Sequence, residues 1–236
     1  GVAALFANGW WMTVRDAVKA EQFIWGTRAS EDKTREINQQ EVTYGNFLQL
    51  LLEGHTNHGP SSPNIILGHC RKKTQGSEYN MLNNHPITIP DSDVICIHNG
   101  SVKNDTKIMS KLGIKRLGEV DSEAIARLFE KEINDTGGNI ALDNMHNIGY
   151  RYDGVAAALM VNGKVPTKLY GVRETRPMVL YYEKNLGLIF YVSESKFMEK
   201  AMGAFHHVLL SLIPEFPGLE FEVEEVPDRV AMIVDL

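Results

Sequence analysis

The pattern of hydrophobic and polar positions predicts a few amphipathic helices along the chain. The clearest one opens at Asp121, repeats apolar residues at helical spacing and ends before Gly137-Gly138. Segment 26–40 is polar and lacks periodicity, so we expect an irregular excursion there. Three other segments fit helices, at 13–25 with Thr13 as the cap, at 44–52, and at 195–205.

Short apolar runs separated by turn residues predict β-strands, first at 64–70 and 94–98. Strands joined by short turns pair antiparallel, and runs without alternation indicate burial on both faces. We therefore predict an α+β domain of two stacked antiparallel sheets with helical layers, a single domain over residues 1–236. The later strands are predicted at 155–161, 168–172, 178–182, 188–192, 221–226 and 230–234, the last two as a closing hairpin.

Composition narrows the class of protein. The 236 residues are 43% hydrophobic and 23% charged, with a formal net charge of -6, as in an ordinary globular protein. The acidic balance, without a basic block, argues against binding to nucleic acid or to a membrane surface. No apolar run is long enough for a membrane span, so we expect a cytosolic protein. Cys70 and Cys96 fall in predicted interior strands, where small buried thiols are expected.

Two predicted strands end in groups that suit a small polar substrate. The Arg71 guanidinium is a planar donor for a carboxylate, although a surface ion pair is the simpler alternative. Asn99-Gly100 taken alone predicts a tight hairpin turn. Its other interpretation is an oxyanion site, in which the Asn amide and the Gly N–H converge on one point.

Three further polar residues have ordinary structural explanations beside functional ones. Asp121 would cap its helix by default, or hold a substrate ammonium group at a cavity edge. Thr74 and His85 are loop residues that more often stabilise turns than bind ligands. The histidines lack metal-ligand spacing and no phosphate-binding loop occurs, so we expect neither a metal nor a cofactor.

The order of these motifs resembles the class II glutamine amidotransferases, the N-terminal-nucleophile glutaminase domains found, for example, in glucosamine-6-phosphate synthase and glutamine phosphoribosylpyrophosphate amidotransferase. The resemblance implies a four-layer α-β-β-α sandwich of the Ntn-hydrolase type, with L-glutamine as the substrate. The motifs are Gly68-His69-x-Arg71-x-x-Thr74-x-Gly76, Asn84-His85-Pro86, His98-Asn99-Gly100 and Asp121-Ser122-Glu123.

The resemblance also implies a role for each matching residue. Arg71, helped by Thr74, would bind the α-carboxylate of glutamine, and Asp121 would bind the α-ammonium group. His85 would shape the pocket. Asn99 and the N–H of Gly100 would form the oxyanion hole.

The family's nucleophile is an N-terminal cysteine, followed by a glycine and a short apolar strand. This sequence opens with the glycine and strand, so we expect the cysteine just before Gly1. Its thiolate would form a glutamyl thioester, and ammonia would pass to a separate synthase protein, because we expect no attached synthase domain. The alternatives are an inactive glutamine-binding or regulatory module and an Ntn amidase for a different amide.

Overall fold

The computed structural model describes residues 1–15, 36–37, 40–41, 55–56, 59–60, 63–71, 75–212 and 218–236, with backbone alone for 204–212 and for the four short pieces before residue 61. Its strands are β1 (Val2–Phe6), β2 (Trp11–Val14), β3 (Glu36–Ile37), β4 (Gln40–Glu41), β5 (His55–Thr56), β6 (Gly59–Pro60), β7 (Pro63–Gly68), β8 (Ile87–Thr88), β9 (Val94–Val102), β10 (Gly154–Asn162), β11 (Lys168–Glu174), β12 (Val179–Glu183), β13 (Leu188–Val192), β14 (Phe221–Glu225) and β15 (Val230–Asp235). Its helices are α1 (Asp105–Leu112), α2 (Ser122–Thr136), α3 (Leu142–Arg151) and α4 (Ser195–Leu212), with a 3-10 turn at Met81–Asn83.

A five-stranded antiparallel sheet, in the order β15-β11-β10-β9-β8, is the central layer. β9 and β10 pair along their full length, with Ile97 opposite Leu159. Both strands carry apolar residues on successive positions, and these are buried on both faces. The absence of alternation is therefore explained, because another layer covers each face of this sheet.

The inner face of the central sheet packs on two three-stranded sheets, ordered β2-β1-β7 and β13-β12-β14. The apolar core between them draws on all three sheets: Ala3, Leu5, Trp11, Ile65, Leu67, Ile95, Ile97, Ala157, Leu159, Val161, Leu169, Met178 and Val226. Two-stranded pairs β3-β4 and β5-β6 are also present. The second β layer is thus made of separate sheets, where one sheet was predicted.

Helices cover the outer faces. α1, α2 and α3 pack on the central sheet, where the rings of Phe129 and Tyr170 lie 5.0 Å apart. α4 packs on the other side of β12 and β13 through Met198. The predicted α-β-β-α layering is confirmed. No helix in the described part of the chain combines the length and apolar character needed to cross a bilayer.

Several local predictions are wrong. Thr13 does not cap a helix, because it lies buried in β2, which pairs with β1. The last two strands do not form a hairpin, because β14 pairs with β12 while β15 pairs with β11 in the central sheet. α4 is longer than predicted, and α1 and α3 were not predicted. The predicted helix at 44–52 and nearly all of the 26–40 excursion lie outside the described residues.

Candidate functional site

A cavity of about 720 Å³ lies where the ends of the central and inner sheets meet the start of α2. It is lined by Arg71, His85, Asn99, Gly100 and Asp121, which come from four places in the sequence. The structure therefore brings together all the predicted site residues that it describes. Thr74 lies outside the described residues.

Arg71 follows β7 and turns its guanidinium toward the cavity. Nη2 donates a hydrogen bond to the Gln75 carbonyl, which holds one side of the fork. Nη1 is buried and has no hydrogen-bond partner among the residues that the structure describes. A buried donor left without a partner is costly, and a carboxylate is its natural acceptor. Arg71 can thus bind an anionic group in the cavity.

Asn99 and Gly100 lie inside β9, so the hairpin interpretation is wrong. They pair with Ala157 and Ala156 in β10. Gly100 has φ +145°, and a Cβ there would lie 1.9 Å from the carbonyl oxygen of Val155. Only glycine fits this close approach of two strands. Strand pairing in the sheet therefore requires glycine at position 100. Its neighbour Asn99 lies on the wall of the cavity.

Asp121 precedes α2, but its side chain makes no capping hydrogen bond. Its Oδ2 instead accepts a hydrogen bond from the backbone N–H of Val102 at 2.7 Å. This contact joins the start of α2 to the end of β9, the strand that carries Asn99. The carboxylate is buried and lines the cavity. The capping prediction is corrected, and the carboxylate can also face a cationic group.

Three imidazoles cluster at the cavity, and of these only His85 was a predicted site residue. The rings of His69 and His85 lie 4.2 Å apart, and those of His85 and His98 6.5 Å apart. His98 Nδ1 lies 3.0 Å from Ser122 Oγ. Within the described part of the chain, both ring nitrogens of His85 are buried without hydrogen-bond partners, as is His98 Nε2. These ring nitrogens can form hydrogen bonds with the polar atoms of a ligand.

Burial keeps these imidazoles neutral. Desolvation is the largest of the effects that lower the pKa of His69 to about 4. Desolvation and the neighbouring His69 and His98 hold the pKa of His85 well below its usual value. Desolvation also lowers the pKa of His98, although the Asp121 carboxylate acts in the opposite direction. The cluster therefore adds polarity to the cavity without adding charge.

The first residue of the chain lies beside this cluster. The Gly1 backbone nitrogen donates to the His69 carbonyl at 2.9 Å, and the His69 N–H donates back to the Gly1 carbonyl at 3.0 Å. A Cβ on Gly1 would lie 2.3 Å from the His85 carbonyl oxygen. The start of β1 is thus held against the cavity wall, at a position where a side chain does not fit.

Cys70 and Cys96 differ in environment. Cys96 is fully buried, as expected, and burial raises the pKa of its thiol to about 12. Cys70 is exposed and lines the cavity, because β7 ends at Gly68 before reaching it. The prediction that both thiols are buried is wrong for Cys70.

Known proteins resemble this chain in sequence and fold. A glutamine–fructose-6-phosphate aminotransferase (isomerizing) of Clostridium acetobutylicum is 30% identical over 132 residues, covering 55% of this chain and 21% of that protein. In a solved structure of the allosteric regulatory enzyme of purine biosynthesis, the match covers 99% of this chain and 41% of that enzyme's chain, at 16% identity and a TM-score of 0.51. The glutamine phosphoribosylpyrophosphate amidotransferase of B. subtilis covers 99% of this chain and 42% of its own, at 14% identity and a TM-score of 0.45. No family model matches.

The resemblance to class II glutamine amidotransferase domains is confirmed. The chain spans about a fifth of the length of the Clostridium acetobutylicum aminotransferase. The fold shared with the purine enzyme is the layered α-β-β-α sandwich described above.

The far wall of the cavity was not predicted as part of a site. It consists of Arg176 after β11, Tyr191 in β13, and the start of α4 with Glu194 and Phe197. Burial raises the pKa of the Tyr191 phenol to about 12, so this group remains protonated. The sequence signal was available in the segments 173–177 and 191–194, each of which flanks a predicted strand. Among the described residues, no group of three or more His, Cys, Asp or Glu side chains could hold a metal ion.

Proposed function

We propose that residues 1–236 form a glutaminase domain that hydrolyses L-glutamine to glutamate and ammonia. The observation that carries the proposal is the single cavity lined by Arg71, Asn99, Gly100 and Asp121. An amino acid with an amide side chain presents an anion, a cation and a carbonyl. This cavity offers a guanidinium, a carboxylate and amide donors to match them.

The proposed binding mode follows from these charges. Arg71 binds the α-carboxylate, with Thr74 as a second donor, and Asp121 binds the α-ammonium group. His85, whose ring nitrogens are buried without partners, contacts the polar part of the substrate. The side-chain carbonyl then faces Asn99 and Gly100, where the amide and the N–H stabilise the oxyanion that forms during attack.

The proposed nucleophile is a cysteine immediately before Gly1. The β1–β7 register supports this proposal: Val2 lies opposite Gly68 and Gly1 opposite His69, so a preceding residue would lie opposite Cys70, which lines the cavity. The cysteine thiolate attacks the amide carbon, with the chain's own α-amino group as the base. The C–N bond breaks, ammonia leaves with the proton, and water hydrolyses the thioester to glutamate.

We propose that the ammonia passes to a synthase on a separate protein. The matched relative is named as an aminotransferase, an activity that uses the nitrogen of glutamine. The acceptor is therefore a synthase that adds nitrogen to its own substrate.

The proposal is tested by producing the chain with cysteine before Gly1 and measuring glutamate release from glutamine. The matched control carries serine at that position, and intact mass establishes the first residue of each preparation. We expect release from the cysteine form and a large loss in the serine form. No release from the cysteine form, together with calorimetric binding of glutamine, would favour the inactive binding module. Turnover of other primary amides faster than glutamine would favour the Ntn amidase.

A further inference from the structure

A second cavity, of about 450 Å³, lies on the helical face of the domain, between α1, α2 and the end of α3. We call it the basic groove. It shares no lining residue with the cavity of about 720 Å³ in which glutamine is proposed to bind, which we call the glutamine cavity. The groove is lined by Asn104, Lys107, Ile108, Lys111, Leu112, Leu128, Lys131, Tyr150 and Arg151.

Four positively charged side chains line the groove, although the chain as a whole has a net charge of -6. Lys107 and Lys111 lie one helical turn apart on α1, and neither forms an ion pair with any described residue. Lys131 pairs with Asp135, and Arg151 pairs with Glu132 at 3.2 Å, on the opposite wall. The α1 wall therefore has two positive charges that local acids do not balance.

The floor of the groove is apolar. Ile108 and Leu128 are buried beneath it, and Leu112 is partly buried. Tyr150 stands at the rim with 85% of its surface exposed. Exposed tyrosine beside an apolar pocket is typical of protein interfaces, where the ring supplies contact area at a low entropic cost.

The groove walls are held in place by polar contacts. The Asn104 side chain donates to the Arg151 carbonyl at 2.9 Å and accepts from the Asp153 N–H at 2.8 Å. These bonds tie the start of α1 to the end of α3. The groove is thus preformed, so that binding does not require its walls to be ordered.

We propose that the basic groove docks an acidic segment of another protein, with two carboxylates one helical turn apart beside an apolar side chain. The carboxylates pair with Lys107 and Lys111, whose spacing on α1 matches residues i and i+4 of a partner helix. The apolar side chain fills the floor over Ile108 and Leu128. The inference does not depend on glutaminase activity.

A polypeptide fits better than a nucleic acid. A phosphate backbone would satisfy the lysines but leave the apolar floor without a partner, and the overall negative charge of the chain opposes a long polyanion. An acidic amphipathic helix satisfies both the floor and the lysines.

The test uses a fluorescein-labelled, helix-forming peptide with glutamates at i and i+4 flanking a leucine, titrated with the full chain and followed by anisotropy. We expect binding that weakens as salt is raised. The double variant Lys107→Glu/Lys111→Glu should weaken the peptide Kd by about tenfold or more. The matched control Lys164→Glu/Lys200→Glu makes the same change in net charge away from the groove and should leave the Kd unchanged.

Three outcomes would overturn the proposal. The first is equal weakening by both double variants, which means that the peptide senses only net charge. The second is equal affinity for a peptide with glutamines in place of the glutamates. The third is that a single-stranded oligonucleotide binds more tightly than the peptide and that Lys107→Glu/Lys111→Glu weakens its binding. This result would assign the groove to nucleic acid. Glutaminase assays on the same preparations are expected to be unaffected.

Discussion

At the scale of single residues, Arg71 provides the most direct test of the proposed substrate. A charge-assisted hydrogen bond is worth about 1.5–3 kcal/mol, and lysine cannot reproduce the planar fork of arginine. We expect Arg71→Lys to raise the KM for glutamine about 10- to 100-fold with little change in kcat, because the α-carboxylate is held equally in the ground and transition states. Steady-state glutamate release measures both constants.

Arg229→Lys is the matched control for Arg71→Lys. Arg229 is exposed and its Nε pairs with Glu174 at 3.2 Å, outside the glutamine cavity. The Arg229→Lys variant should keep the wild-type KM for glutamine. If the two variants behave alike, Arg71 has no special role in binding glutamine.

Gly100 gives a prediction about stability that does not depend on function. A Cβ at this position would approach the Val155 carbonyl oxygen to 1.9 Å, and φ is +145°. We expect Gly100→Ala to lower the free energy of unfolding by about 3 kcal/mol, since the clash is with backbone that cannot move aside. Urea denaturation followed by circular dichroism is the measurement.

Gly113→Ala separates this clash from the general effect of a positive φ. Gly113 has φ +68° at the end of α1, and nothing lies within 4 Å of the added Cβ. Its loss of stability should be about 1 kcal/mol. Equal losses in the two variants would contradict the claim that close strand approach selects glycine at position 100.

At the scale of elements, Asp121 joins β9 to α2 and is also proposed to bind the substrate ammonium group. The two roles separate by substitution. Asp121→Asn keeps an oxygen that can accept a hydrogen bond from the Val102 N–H, so the free energy of unfolding should change little. The loss of the negative charge should raise the KM for glutamine. Asp121→Ala leaves that N–H without its acceptor and should also cost about 1–3 kcal/mol of stability.

Measuring KM and the free energy of unfolding on both variants tests this division. A normal KM in Asp121→Asn would mean that the carboxylate serves only to connect β9 with α2. Normal stability in Asp121→Ala would mean that the contact with Val102 contributes nothing.

The imidazole cluster joins the end of β7 to the loop before β8 and to β9, and it makes the fold sensitive to acid. The pKa of His69 is about 4 in the folded protein against 6.5 when exposed. The unfolded chain therefore takes up a proton between these values while the folded chain does not. The stability contributed by the neutral imidazole is complete above pH 6.5 and is lost as the pH falls toward 4, by roughly 3 kcal/mol for His69 alone.

We expect His69→Gln to flatten the fall in unfolding free energy between pH 6.5 and pH 4, because glutamine takes up no proton. His146→Gln, on α3 and outside the glutamine cavity, is the control and should keep the wild-type slope. Urea denaturation at a series of pH values gives the three profiles. Parallel profiles would show that His69 does not govern the acid sensitivity.

The same elements show where sequence reasoning succeeds. Runs without alternation in β9 and β10 predict burial on both faces, and an amphipathic stripe predicts α2, because periodicity is a direct record of which faces are covered. Sequence reasoning fails where strand pairing is decided by residues that lie far apart in the sequence. Asn99-Gly100 has the composition of a turn, yet β10, more than 50 residues later, continues pairing beside it. Similarly, β14 and β15 are adjacent in sequence but belong to different sheets.

The candidate site was predictable in part for the same reason. Arg71 follows β7, Asp121 precedes α2, and Asn99 comes directly after the apolar run of β9, so each of them could be located from the pattern of its element. His69 and His98 carry no local signal beyond their residue type, because what makes them notable is burial beside one another. The hydrogen bond between Asp121 and Val102 depends on how α2 packs on β9, which no pattern in either segment encodes.

At the scale of the whole molecule, the central sheet belongs to both apolar cores, so the proposed single domain should unfold as one unit. Ile95 on β9 faces the inner sheets and Ile125 on α2 packs in the helical core, and both are fully buried. Ile95→Val and Ile125→Val should each cost about 0.5–1.5 kcal/mol, and the double variant should cost their sum, since the two sites share no contact surface.

Urea denaturation should show one transition, with the same midpoint by circular dichroism and by tryptophan fluorescence, to which Trp11 in the inner core contributes. Ile66→Val, exposed on β7, is the control and should cost almost nothing. Two transitions, with each core variant shifting only one of them, would show that the inner sheets and the helical layer fold separately. A shared midpoint is expected because β9 contributes adjacent residues, Ile95 and Cys96, to the two cores, so neither core can form while the strand between them is unpaired.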